Sequence, residues 1–81
     1  MIVTLIGKPG CHLCDDARAT IHGVLTEFDD VELVERSILD DTALRDEYAE
    51  EIPVVLIDGV QHTYWRVDAE RLRAALRAVR R

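Results

Sequence analysis

The stretch Gly7-Lys8-Pro9-Gly10-Cys11-His12-Leu13-Cys14 constrains the fold more than any other, because it joins two segments of different periodicity. Before it, the apolar and β-branched run Ile2 to Ile6 reads as a short buried strand stopped by Gly7. After it, Leu13, Ala17, Ile21, Val24 and Phe28 recur at spacings of three and four, which predicts a helix from about Cys11 to Phe28. The Cys-x-x-Cys thus falls where a strand turns into a helix. A helix start offers unpaired N–H groups and the positive end of the peptide dipoles, and both favour a thiolate at Cys11. Lys8 and a protonated His12 act in the same sense, whereas Asp15 and Asp16 oppose it. Residues three apart on a helical turn share a face, so Cys14 lies within disulfide reach of Cys11. Pro9 fixes φ and Gly10 tolerates a close backbone approach, leaving a turn both rigid and open above Cys11. The expectation is a reversible dithiol/disulfide site with Cys11 as nucleophile and Cys14 as resolving thiol.

At 81 residues the chain is expected to form one domain, residues 1–81. Such a domain buries about 60 to 65% of its unfolded surface, so most apolar residues must serve one core. No apolar run approaches the ~20 residues that cross a bilayer, and no basic flank or cleavage site marks a secretory signal. A cytoplasmic protein is expected. Two cysteines three apart close almost no loop, which argues against a secreted disulfide framework. The net charge of −6 and pI near 4.9 speak against nucleic acid as a partner, since phosphates require a positive surface. Acidic residues fill the middle of the chain, while Arg66, Arg71, Arg73, Arg77, Arg80 and Arg81 crowd its end. That cluster reads as the solvated face of a helix whose cations favour its C-terminus, with an electrostatic dock for an acidic partner as the alternative.

Val31 to Val34 predicts a second strand, parallel to the first because the intervening helix provides the crossover. A short helix capped by an aspartate follows, with Leu44 and Tyr48 on its inner face. Val54 to Ile57 lacks polar alternation, which suits a central strand covered on both faces. Asp58-Gly59 signals a two-residue hairpin, so Val60 to Trp65 should return antiparallel. Pro53 either occupies a position needing no ladder N–H or follows a cis bond that shapes a corner. The last helix starts near Asp68, a suitable N-cap, and turns Ala69, Leu72, Leu76 and Val79 inward. His22 and His62 read as structural. Tyr48, Tyr64 and Trp65 read as core or groove walls, and Trp65 alone has a positional reason to touch a ligand.

With these pieces in order, the chain resembles the thioredoxin-fold family and, within it, the small bacterial glutaredoxin-like proteins. The resemblance rests on the opening strand and Lys8-Pro9-Gly10-Cys11-His12-Leu13-Cys14, then Ile52-Pro53-Val54, Asp58-Gly59 and the closing helix, and it spans nearly the whole chain. It implies an α/β thioredoxin-like (glutaredoxin-like) fold, β-α-β-(α)-β-β-α, with a four-stranded mixed sheet. It also implies a cis Ile52-Pro53 bond facing the cysteines, with the exposed backbone of Ile52 pairing with a bound peptide or thiol. Two departures stand out. Glutaredoxins usually carry Cys-Pro-Tyr-Cys, where this chain has His12 and Leu13. They also hold a glutathione carboxylate with a Gly-Gly pair and an aspartate, where this chain has Trp65-Arg66-Val67-Asp68 and only Asp68 matches.

The function expected is that of a thiol-disulfide oxidoreductase that reduces or exchanges disulfides through a mixed-disulfide intermediate. Cys11 and Cys14 are the catalytic pair, and Lys8, His12, Ile52, Pro53, Trp65 and Asp68 are the candidate substrate contacts. No bound cofactor or metal is expected, and glutathione, another low-molecular-weight thiol or a reductase would recharge the site. The substrate is a disulfide-bearing protein or a small thiol, with no nucleic acid or membrane partner, and the chain is expected to be a monomer. Two rival readings use the same cysteines without turnover: a thioredoxin-fold binding module, and two chains bridging a zinc ion or an iron-sulfur cluster.

Overall fold

The computed structural model describes residues 1–80; Arg81 and the side chain of Arg80, part of the terminal arginine cluster, lie outside the described residues. Strand β1 (Ile2–Gly7) leads into α1 (His12–Leu25), then β2 (Glu32–Ser37), α2 (Thr42–Tyr48), the hairpin β3 (Val54–Ile57) and β4 (Val60–Tyr64), and α3 (Ala69–Arg80). The strands form one mixed sheet in the order β2-β1-β3-β4. β1 pairs parallel with β2, antiparallel with β3, and β3 pairs antiparallel with β4. Among the described residues no helix is long and apolar enough to cross a membrane.

The two-residue period of a strand sends alternate side chains to opposite faces, and both faces are covered. Val3, Leu5, Val55 and Ile57 pack against Ala17, Ile21 and Val24 of α1 and Leu72 and Leu76 of α3. Ile6 and Val54 join Ile38 on the other face, beneath Leu44 and Tyr48 of α2. This explains why Val54 to Ile57 shows no polar alternation. The hairpin turn places Asp58 at φ 48° and Gly59 at φ 85°, the left-handed pair that a two-residue turn requires. Asp58 also closes the sheet's corner, since its N–H donates to the Ile2 carbonyl and its Oδ1 accepts from the Ile2 N–H, both at 2.8 Å.

Several boundaries differ from the sequence expectation. α1 ends at Leu25 rather than Phe28, because the N–H groups of Glu27 and Phe28 bond three residues back, to Val24 and Leu25, and tighten the last turn. Phe28 stays buried because that turn folds it onto the core. Leu13, expected on the inner face, is 41% exposed. The buried positions of α1 are Cys14, Ala17, Ile21 and Val24, so Cys14 takes the inward place assigned to Leu13. Val79 is likewise 51% exposed, in the last turn of α3 beyond the Leu72 and Leu76 stripe. β2 runs through Ser37 instead of Val34 because every residue of β1 finds a partner there, from Ile2 with Glu32 to Gly7 with Ser37. β4 stops at Tyr64, since Trp65 turns to φ 68°.

His22 is exposed, whereas His62 is partly buried, and burial followed by the nearby Arg71 lowers its pKa below the usual 6.5. The unfolded chain therefore takes up this proton first as pH falls, and stability should drop from about pH 6.5 downward. Urea midpoints measured across that range check this, and His62→Gln should flatten the dependence.

Candidate functional site

The end of β1 and the start of α1 place the two sulfurs differently. Cys11 is the N-cap of α1, in extended backbone, and its carbonyl accepts from the Asp15 N–H at 3.0 Å to open the helix. Its Sγ accepts from the backbone N–H of Cys14 at 3.2 Å, so sulfur replaces the oxygen of an ordinary cap. Cys11 is partly exposed and Cys14 only 1% exposed, and neither is in a disulfide. Burial, then a side-chain hydrogen bond with Cys11, pushes the Cys14 thiol up to about 11, against a smaller lowering by the Lys8 backbone.

The turn above Cys11 is made by exposed Lys8, Pro9 and Gly10, with Gly10 at φ 76° where a side chain would be strained. His12 is exposed at the first helical position. Asp15 is held at 2.8 Å by Arg18, which also reaches Glu35 across to β2 at 2.6 Å. This bridge ties the first turn of α1 to β2, a link that adjacent-residue reasoning does not reveal.

The Ile52-Pro53 peptide is cis. Ile6 pairs with Val54, and one further step of the antiparallel register sets Pro53 beside Gly7, the residue against which Cys14 packs. The corner therefore lies next to the cysteines. The Pro53 carbonyl accepts from the Trp65 N–H at 2.8 Å, whereas the N–H and C=O of Ile52 bond no described residue. Trp65 shares a cleft of about 160 Å³ with Leu13, Thr20, Arg66 and Val67. Asp68 is engaged elsewhere: its Oδ1 caps α3 by accepting from the N–H of Glu70 at 2.9 Å and of Arg71 at 3.4 Å. Thus Cys11, Cys14, Lys8 and His12 lie together at the start of α1, the register carries the Ile52-Pro53 corner toward the end of β1, Trp65 walls a cleft with Leu13, and Asp68 orders α3.

Gly7 does more than stop its strand. A Cβ at Gly7 would stand 2.8 Å from Cys14 Sγ, so the missing side chain is what lets Cys14 seat against β1. The signal was a glycine ending a strand immediately before the cysteine turn. Among the described residues no three His, Cys, Asp or Glu side chains group so as to hold a metal ion.

The model of the family described as Glutaredoxin-like domain (DUF836) matches residues 2–77. The uncharacterized protein Rv0508 of Mycobacterium tuberculosis is 34% identical over 76 residues, covering 89% of this chain and 78% of its own. The solution structure of protein XcR50 from X. campestris superposes with a TM-score of 0.76 at 34% identity, over 96% of this chain and 95% of that one. The X-ray structure of Fasciola hepatica thioredoxin gives a TM-score of 0.66 at 17% identity, over 95% of this chain and 78% of its own, a likeness of fold. The sheet order, the cysteine turn beside a cis proline and the match over nearly the full length agree, and the chain belongs to the glutaredoxin-like family of the thioredoxin fold.

Proposed function

We propose that this chain is a thiol-disulfide oxidoreductase in which Cys11 attacks and Cys14 resolves. The observation that carries this reading is the asymmetry of the sulfurs: one at a helix start, reachable and hydrogen-bonded by a backbone N–H, the other buried and protonated behind it. The Cys11 thiolate attacks one sulfur of a substrate disulfide, forming a mixed disulfide and expelling a substrate thiolate. Cys14 then gives up its proton and attacks Cys11 Sγ, forming the Cys11-Cys14 disulfide and releasing the second substrate thiol. The substrate has gained two electrons and the chain has lost two. Glutathione, another small thiol or a reductase returns them, and the chain needs no resident cofactor.

The free N–H and C=O of Ile52 are suited to pair with the substrate backbone beside its cysteine, with Pro53 as the corner below. Lys8 and His12 border the approach, Trp65 offers an aromatic wall, and Asp68 acts at one remove by fixing the start of α3. The chain works as a cytoplasmic monomer in this proposal. An electron-donor panel tests it: the oxidised chain is mixed with a small disulfide and with glutathione, another low-molecular-weight thiol, or a thioredoxin-reductase-type enzyme. At least one donor should sustain disulfide reduction well above the rate without the chain; no acceleration with any donor would contradict it.

A further inference from the structure

Next in sequence to the Ile52-Pro53 corner, an open groove of about 650 Å³ is lined by Glu51 and walled by Tyr64 and Trp65. The two rings meet edge to face at 5.0 Å and stay 47% and 54% exposed, a large apolar surface for so small a protein to leave in water. The indole is held in place, since its Nε1 donates to the Glu50 carbonyl at 3.0 Å. The opposite wall is formed by the end of α2 and the residues after it, and carries Asp46, Glu47, Glu50 and Glu51.

The charge of that wall decides what the groove can hold. Four carboxylates outside the groove pair with arginine, Asp15 and Glu35 with Arg18, Glu27 with Arg73 and Arg77, and Glu70 with Arg73, and others cap helices or turns. None of the four groove carboxylates forms an ion pair with a described lysine or arginine; the Glu51 carboxylate accepts a 3.3 Å bond from Gln61, and Glu47 accepts from the Tyr48 hydroxyl. They also crowd the C-terminal end of a helix, where the peptide dipoles already present negative potential and disfavour further anions. An aromatic face beside uncompensated carboxylates is the environment a guanidinium or ammonium group seeks, by ion pairing and by contact with the ring. The groove also begins at Glu51, one residue before the unpaired backbone of Ile52, so a peptide lying along Ile52 would continue into it.

We propose that this groove docks a lysine- or arginine-bearing segment of the substrate polypeptide, so that the chain selects disulfides flanked by basic residues; as a statement about substrate, this rests on the oxidoreductase reading above. Binding itself is tested apart from redox chemistry, because Trp65 is the sole tryptophan and lies in the groove. A short peptide rich in lysine and arginine, with serine in place of cysteine, should change the Trp65 fluorescence to saturation, more weakly as salt rises. An acidic peptide of equal length should not. Glu47→Gln together with Glu50→Gln should weaken the basic peptide about fivefold, the scale of two exposed charge contacts. Glu32→Gln, a charge change of the same sign on β2, should leave its affinity unaltered. A flat titration, equal binding of both peptides, or equal affinity after the double substitution would overturn the dock. Disulfide-linked versions of the peptides then test substrate choice. Faster reduction of the basic one supports the proposal, and equal rates refute it while leaving the oxidoreductase reading intact. No reduction of either peptide defeats that reading and the substrate claim with it, and the fluorescence result then speaks for the groove alone.

Discussion

Cys14→Ser should yield a chain that attacks a disulfide once and remains attached to it. Cys11 stays reachable at the helix cap, but the sulfur that would displace the substrate is gone, and a serine hydroxyl does not attack a disulfide. The lost step is intramolecular, and well-oriented partners hold a large rate advantage over groups arriving from solution. Turnover of a protein disulfide should therefore fall at least about a hundredfold, with a covalent adduct visible by mass spectrometry and released by added thiol. Cys11→Ser should form no adduct at all. In the wild-type chain the release step should depend steeply on pH, because Cys14 is held protonated, its thiol pushed up to about 11. Only the thiolate attacks, so release should quicken roughly tenfold per pH unit through neutrality. Burial remains in the mixed disulfide, whereas the contribution of a Cys11 thiolate disappears, so the rise should level off below pH 11. Single-turnover release that is flat between about pH 6 and 9 would rule out Cys14 as the group that lets go.

Gly7→Ala should damage both stability and release. The added methyl would stand 2.8 Å from Cys14 Sγ and 3.2 Å from its Cβ, and Cys14, almost wholly enclosed, has little room to yield. Nor can Gly7 move easily, since its carbonyl accepts from the Ile38 N–H at 2.9 Å and its strand is paired with Ser37. Overpacking of this kind costs about 1–3 kcal/mol, read as a lower urea midpoint. Displacing Cys14 from Cys11 should also slow release more than the stability loss explains. A double-mutant cycle isolates the contact: in a Cys14→Ala background the Gly7→Ala penalty should shrink, and an unchanged penalty would place the cause elsewhere.

The parts of the site that could be read from the chain are those set by local chemistry. The change of periodicity at Gly7 located the sulfurs at a helix start, Asp58-Gly59 announced its left-handed turn, and Asp41 and Asp68 fell where helix caps belong. Leu13 shows where such reading stops. Both Leu13 and Cys14 stand at helical spacing from Ala17, so periodicity cannot say which faces inward; the sheet chose Cys14. The polar end of β2 is silent in the sequence for a related reason, because a strand at the sheet edge needs only backbone partners and tolerates Glu35 and Arg36. The Gly7 contact depends on how α1 folds back over the cysteine turn, and the groove of Glu47, Glu50 and Trp65 on how α2 meets the end of β4, neither of which periodicity states.

Strand β1, from which the cysteine turn hangs, has a neighbour along each flank, parallel β2 on one side and antiparallel β3 on the other. Peptide groups enclosed in this way are the last to meet solvent when a protein breathes. The cysteine turn therefore hangs from a strand expected to open slowly, so the proposed exchange at Cys11 would not wait on loosening of the interior. If the sulfurs exchange electrons as proposed, they would do so round after round over a frame that stays shut.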